Sequence, residues 1–87
     1  MTVYKYAILA FDVFGLELPI GAKILTVQTQ NDLPHIWALV DPSAEKEIRT
    51  FRLAGTGHTI KETNLDYIGT VQIRGGELVF HLFEIKL

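Results

Sequence analysis

The segment Gly55-Thr56-Gly57-His58 contains the residue types that most readily form a binding loop. Two closely spaced glycines let a backbone approach a phosphate group, and a histidine can donate or accept a proton near neutral pH. Arg52, three residues before the segment, would add a positive charge. These five residues are therefore the candidate ligand-binding site, and a small anionic, nucleotide-like molecule is the ligand that they would suit.

The same segment also fits a purely structural loop. It lacks the strand, loop and helix context of a dinucleotide fingerprint, and no lysine follows at the position that a phosphate-binding loop requires. In the structural interpretation, the glycines supply positive φ angles and His58 forms local hydrogen bonds. The sequence leaves both interpretations open.

Catalytic and metal chemistry have few candidate residues in this chain. It has no cysteine, and its one serine, Ser43, falls in a predicted turn, so neither a serine nor a cysteine triad is expected. The three histidines, His35, His58 and His81, are not at the short intervals that bring metal ligands together. We therefore expect no metal, no cofactor and no enzymatic activity.

Trp37, the only tryptophan, shares a strand face with His35 and Leu39. Its first interpretation is a core residue, and the alternative is an anchor at a protein interface, because tryptophan offers a large contact area with one polar group. Tyr4, Tyr6 and Tyr67 allow the same two interpretations. Stacking of single-stranded bases on such aromatic residues would need neighbouring basic residues, and only Lys5 is one.

The composition bounds the class of protein. The chain has 87 residues, 48% hydrophobic and 21% charged, which predicts one globular domain over residues 1–87. The formal net charge is −2 and the eight lysines and arginines are scattered, so binding to duplex nucleic acid is not expected. No secretory signal or membrane-length apolar stretch is evident, which favours a cytoplasmic protein without a membrane partner.

The elements that must position these residues are β-strands. Short alternating segments rich in Val, Ile, Thr, Tyr and Phe predict five or six of them. The segments are Val3–Asp12, Ala22–Gln30, His35–Val40, Glu47–Ala54, Asp66–Arg74 and Glu77–Leu87, with a short edge-like piece, Leu16–Leu18, that stops at Pro19. Ser43–Glu47 is the only plausible helix, capped by Asp41. The expected fold is all-β, a small antiparallel sandwich or barrel with at most one short helical turn.

The last two strands flank Gly75-Gly76, which suits a two-residue turn with positive φ at both positions. That turn predicts the facing pairs Arg74–Glu77, Ile73–Leu78, Gln72–Val79, Val71–Phe80, Thr70–His81, Gly69–Leu82 and Ile68–Phe83. Both faces of the last strand are then apolar, with Phe83, Ile85 and Leu87 on the second face. Such a strand needs cover on both sides, so these three residues and Trp37 are candidate interface residues, and a homo-oligomer is expected. The alternative is a closed barrel or sandwich that buries every apolar residue internally.

Four runs of sequence resemble a family of small phage and prophage proteins of unknown function. The runs are WALVDP at 37–42, GTGH at 55–58, YIGTVQ at 67–72 and LVFHLFE at 78–84. The resemblance covers nearly the whole chain and implies a phage or mobile-element origin, with expression inside a bacterial host cell. It implies no catalytic residues.

The leading functional hypothesis is a non-enzymatic accessory protein of phage type that binds a host protein, such as a component of a defence system. Its aromatic residues and strand edges would supply the contacts. The alternative is a small-ligand protein that binds or sequesters a nucleotide-like molecule through the Gly55–His58 segment and Arg52.

Overall fold

Seven antiparallel strands make up the fold in the computed structural model, which describes residues 1–9 and 12–87. They are β1 (Thr2–Ala7), β2 (Asp12–Pro19), β3 (Lys23–Gln30), β4 (Leu33–Val40), β5 (Lys46–Gly55), β6 (Leu65–Ile73) and β7 (Leu78–Ile85). Within these described residues the only helical element is one 3-10 turn, Arg74–Gly76. The all-β prediction is therefore confirmed.

The strands form two sheets that pack face to face as an open sandwich. The three-stranded sheet has the order β1-β4-β3, and the four-stranded sheet has the order β2-β5-β7-β6. Contact between the sheets runs mainly along β3 and β6, which are edge strands of their own sheets. The two sheets are thus joined along one side and do not close into a barrel.

Alternation along the strands builds one core between the sheets. On β4, for example, Ile36, Ala38 and Val40 are fully buried, whereas the residues between them are only partly buried. The core cluster contains Ile8, Leu18, Ala22, Val27, Ile36, Ala38, Val40, Phe51, Leu53, Val71 and Leu82. Each strand except β1 contributes to it, while β1 adds the partly buried Tyr6.

The predicted register of the last hairpin is confirmed from Ile73–Leu78 to Gly69–Leu82. Beyond Gly69 the register shifts, so Tyr67 rather than Ile68 faces Phe83. The shift is a β-bulge, which inserts one extra residue into β6, and it turns Ile68 toward the core. The prediction that Ile68 faces Phe83 is therefore wrong.

The turn of this hairpin is wider than the two residues predicted. Gly75 and Gly76 do have positive φ angles, 67° and 93°, but Arg74 also adopts a positive φ of 54°. The amide of Glu77 donates to the Arg74 carbonyl at 3.2 Å, and the Arg74 amide donates to the Asp32 carboxylate at 2.7 Å. Arg74 and Glu77 thus lie in the loop, because Asp32 of the neighbouring β3–β4 turn holds the backbone of Arg74 outside the ladder.

Two sequence-based boundaries at the N-terminal half are wrong. The predicted strand Val3–Asp12 is divided, since β1 ends at Ala7 and Asp12 begins β2 in the other sheet; Ala10 and Phe11 lie outside the described residues. The edge-like piece Leu16–Leu18 belongs to the eight-residue strand β2, which is indeed an edge strand. Because both faces of the segment Val3–Asp12 are largely apolar, its pattern did not show that the chain passes from one sheet to the other there.

The predicted helix Ser43–Glu47 is absent. The Asp41 carboxylate accepts hydrogen bonds from the Ser43 amide at 3.0 Å and from the Ser43 hydroxyl at 2.7 Å, which closes a turn rather than a helix. Strand β5 then begins at Lys46, which pairs with Pro19 of β2. Pairing with β2 provides more backbone hydrogen bonds than one isolated helical turn could.

One ion pair lies on the inner face of the four-stranded sheet. Arg49 of β5 donates from Nε to Glu84 Oε2 at 2.7 Å and from Nη2 to Glu84 Oε1 at 2.8 Å, with side chains 18% and 11% exposed. Arg49 Nη1 also donates to the carbonyl of Ala22, which leads into β3. This bidentate geometry holds the pKa of the Glu84 carboxyl below its usual value, chiefly through the hydrogen bonds from Arg49.

Glu84→Gln is expected to lower the free energy of unfolding by about 2–3 kcal/mol, because it leaves the Arg49 guanidinium largely buried without its counter-charge. The matched control is Glu77→Gln, which breaks the exposed Arg74–Glu77 pair and should cost less than about 1 kcal/mol. Urea denaturation measures both.

Because the pKa of Glu84 is lower in the folded protein than in the unfolded chain, its contribution is present above about pH 4.3 and is lost as the pH falls through the folded pKa. The difference between wild type and Glu84→Gln should therefore shrink as the pH is lowered from 6 toward 3, and a constant difference would contradict this account.

The two sheets approach closely at Gly69 of β6. A methyl group at this position would lie 2.8 Å from Cγ1 of Val27, a buried residue of β3 in the facing sheet. Glycine is therefore required here for the distance between sheets.

Gly69→Ala should destabilise the protein by about 1–3 kcal/mol through overpacking. In the double variant Gly69→Ala/Val27→Ala the added methyl fits the space that Val27 leaves, so the loss should be smaller than the sum of the two single losses. A double-mutant cycle by urea denaturation measures this coupling, and additive losses would show that the two residues do not limit the sheet distance.

Candidate functional site

A cleft of about 230 Å³ lies where β5 ends and β7 begins. Three of the predicted site residues, Gly55, Thr56 and His58, line one side of it. The other side is formed by Glu77, Leu78, Val79 and Phe80. The fold therefore brings most of the predicted loop against the start of the last strand, a neighbour that the loop sequence did not identify.

The two glycines of the loop are required for different reasons. The His58 amide donates to the Gly55 carbonyl at 3.0 Å, which closes a tight turn, and Gly57 within that turn has a φ of +88°. Gly55 instead permits a close approach, because a methyl group there would lie 2.8 Å from Cε1 of the His58 ring. The structural interpretation accounts for both glycines, and the same turn places the imidazole at the cleft.

Arg52 does not join the other predicted site residues in the cleft. Its side chain is mostly buried on the outer face of the four-stranded sheet, where Nη2 donates to the Thr59 carbonyl at 3.0 Å. Carboxylates of Glu62 and Asp12 lie 3.8 Å and 3.9 Å from its nitrogens. The described residues that line the cleft include Glu77 and neither lysine nor arginine. An anionic ligand would therefore find little positive charge there.

A chain of hydrogen bonds connects Thr56 to the outer face of β6 and β7. The Thr56 hydroxyl lies 3.3 Å from the Val79 carbonyl oxygen and 2.7 Å from His81 Nε2. His81 Nδ1 lies 3.0 Å from the Thr70 hydroxyl, which is hydrogen-bonded to the Tyr67 phenol at 2.6 Å. Both ring nitrogens of His81 thus have a hydroxyl partner, and the ring connects the loop after β5 to Thr70 of β6.

The contact of His81 with Thr70 follows from the predicted hairpin register, and the structure confirms it. Its contact with Thr56 was missed, because it depends on how the loop after β5 folds back. Across residues 1–9 and 12–87, no three histidine or acidic side chains are grouped so that they could hold a metal ion. None of the helical structure in those residues is long and apolar enough to cross a membrane.

The candidate interface residues fall on the outer faces of both sheets. Trp37 is only partly buried and faces away from the core, since its strand neighbours Ile36 and Ala38 occupy the core positions. The expectation that Trp37 is a core residue is therefore wrong. Phe83 and Ile85 are partly buried on the outer face of the four-stranded sheet, and Leu87 follows as a fully exposed residue.

Comparison with known proteins adds a family and no activity. Neither the curated proteins nor the solved structures contain a match to the chain. The family model described as "Domain of unknown function (DUF7352)" matches residues 1–86. Since that match spans all but the last residue, the chain belongs to the DUF7352 family.

Proposed function

We propose that the protein is a non-enzymatic accessory protein of a phage or another mobile element, and that it acts by binding a host protein such as a defence component. The observation that carries the proposal is an apolar surface on the outer face of the four-stranded sheet. We call it the outer patch, and it consists of Ile48, Tyr67, Phe83 and Ile85. The mobile-element origin rests on the sequence resemblance described above.

Strand register brings these side chains to one face. Phe83 on β7 is flanked by Arg52 on β5 and Tyr67 on β6, and the rings of Phe83 and Tyr67 are 5.6 Å apart. Ile48 is 71% exposed and Tyr67 is 61% exposed. The solvent-facing side of an antiparallel sheet is usually polar, so exposed aromatic and aliphatic side chains here favour a role in protein association.

Charged residues of both signs border the outer patch. Glu17 of β2 is directly opposite Ile48, and Arg52 of β5 is directly opposite Phe83. An apolar centre with a charged border is the usual composition of a protein interface. A mixed border favours a partner with polar groups of both signs over a strongly basic or acidic one.

The test is capture of the partner from host lysate with the tagged protein and the double variant Ile48→Ser/Tyr67→Ser. The variant should lose the stoichiometric partner, because it removes two large contacts from the patch. The matched control is Val3→Ser/Leu25→Ser, which removes two similarly exposed apolar residues from the other sheet and should retain the partner.

Two outcomes would contradict the proposal. One is recovery of no stoichiometric partner from the host by the wild-type protein. The other is a homodimer, seen by size-exclusion chromatography with light scattering, that Ile48→Ser/Tyr67→Ser converts to a monomer, since the patch would then be occupied by a second copy.

Binding of a small ligand in the cleft is the second candidate. It is supported by the cleft volume of about 230 Å³ and by the polar groups of Thr56, His58 and Glu77 on an otherwise apolar lining. The carboxylate of Glu77 disfavours a phosphate and favours an uncharged or cationic molecule. A nucleoside-like ligand therefore suits the cleft better than the corresponding nucleotide.

Thermal-shift measurements distinguish these ligands. A ligand that binds only the folded state raises the melting temperature by mass action, so nucleosides should raise it more than their phosphorylated forms. Glu77→Gln should narrow that difference by removing the negative charge from the cleft. If neither the nucleosides nor their phosphorylated forms raise the melting temperature, this candidate is eliminated.

A further inference from the structure

The outer face of the three-stranded sheet collects aromatic and basic residues that are far apart in the sequence. Lys5 of β1 is directly opposite Trp37 of β4, and Lys23 of β3 is directly opposite Leu39. His35 lies two residues before Trp37 on the same face, opposite Gln28. Along the sequence Lys5 lies between Tyr4 and Tyr6, and only strand pairing brings it and Lys23 to the same face as Trp37.

The charge on this face differs from that of the whole chain. The described residues of β1, β3 and β4 that point outward, namely Val3, Lys5, Ala7, Lys23, Thr26, Gln28, Gln30, Leu33, His35, Trp37 and Leu39, include two lysines and no aspartate or glutamate. The chain as a whole has a formal net charge of −2. This face, which we call the aromatic-lysine face, is therefore complementary to an anionic partner.

The aromatic rings on this face are held in place. The His35 and Trp37 ring centroids are 5.9 Å apart. His35 Nδ1 donates to the Leu33 carbonyl at 2.7 Å, and since a carbonyl only accepts, this bond fixes the imidazole beside the indole. Both side chains are partly buried, so each ring is supported by the sheet and remains accessible.

Polar groups surround the two rings. Lys5 Nζ donates to Gln30 Oε1, and since β1 and β3 flank β4, this bond carries the ammonium group across the central strand. Gln28, opposite His35, and Thr26, opposite Trp37, offer further donors and acceptors at the side of β3. Rings, amides and ammonium groups thus occupy adjacent positions on one sheet.

We propose that the aromatic-lysine face binds single-stranded nucleic acid. Proteins bind single strands on sheets that combine aromatic rings, on which bases stack, with cations that contact the phosphates. Trp37 and His35 would each stack a base, Lys5 and Lys23 would contact the backbone, and the glutamine amides would reach base edges. A duplex hides its base faces, so the rings would contribute nothing to duplex binding.

An anionic protein segment is the other occupant that the charge admits. The neighbouring rings of His35 and Trp37 on β4 favour single-stranded nucleic acid over an acidic peptide. Such a peptide would use the lysines and leave the aromatic rings without a stacking partner. This proposal concerns the sheet opposite the outer patch, so it stands or fails independently of the host-protein proposal.

Because Trp37 is the only tryptophan, its fluorescence reports directly on the proposed site in the unmodified protein. A short oligothymidylate should quench it saturably at low salt, whereas the corresponding duplex and a polyglutamate peptide should not. Quenching by polyglutamate alone, or equal affinity for the duplex, would overturn the proposal, as would the absence of saturable quenching by any single-stranded probe.

Fluorescence anisotropy of a labelled oligothymidylate tests the named side chains. Trp37→Leu keeps an apolar side chain on the face and should weaken binding at least about fivefold, since stacking of one base contributes about 1–3 kcal/mol. Tyr67→Leu, an exposed aromatic residue on the opposite sheet, should bind as the wild type does. Unchanged affinity of Trp37→Leu would overturn the assignment.

The double variant Lys5→Gln/Lys23→Gln distinguishes binding at this face from general electrostatic attraction between the protein and the nucleic acid. Each phosphate contact on a single strand contributes about 0.7 to the slope of log affinity against log salt, so the pair should reduce that slope by about 1.4. Lys46→Gln/Lys61→Gln changes the net charge equally at exposed positions outside this face and should leave the slope unchanged. Equal reductions in both double variants would show diffuse attraction rather than a site. Circular dichroism of each variant checks that it is folded.

Discussion

The close approach of β3 and β6 is the constraint on which the rest of the structure depends. Each is an edge strand of its own sheet, and Gly69 lies against Val27 where they meet. The Thr29 hydroxyl donates to the Gln72 carbonyl at 2.9 Å, and the Arg74 amide donates to Asp32, so hydrogen bonds reinforce the same side. The sheets are thus joined along one side, and the ion pair of Arg49 and Glu84, with its bond to the Ala22 carbonyl, connects β5 and β7 to the segment that leads into β3.

This arrangement gives two sheets one shared core and leaves two outer faces. Both outer faces retain apolar side chains, but their surroundings differ. On the four-stranded sheet, Ile48 and Phe83 lie directly opposite Glu17 and Arg52, which carry charges of opposite sign. On the three-stranded sheet, Trp37 is accompanied by lysines and amides without a carboxylate among the described outward residues. The two outer faces therefore differ in the charge and in the kind of side chain that they present.

The predicted loop site shows which features of a site can be inferred from residue types alone. Gly57 adopts the positive φ expected of it, and three of the five predicted residues line one cleft. Arg52 was grouped with them because it is near in sequence, yet strand alternation turns its side chain toward Thr59 on the outer face. Glu77, which gives the cleft its negative charge, comes from the distant hairpin loop and could not be placed there from the sequence.

Local patterns in the sequence determined the all-β class, most of the strand positions and the register of the last hairpin, because alternation and turn residues act over a few neighbouring positions. They also excluded thiol chemistry, since the chain has no cysteine. Only the tertiary structure decided that the N-terminal segment divides between two sheets, that Ile68 forms a bulge and that Trp37 faces outward. Each of these depends on which strands pair and which faces meet, and such contacts join residues far apart in the chain whose types alone do not specify their neighbours.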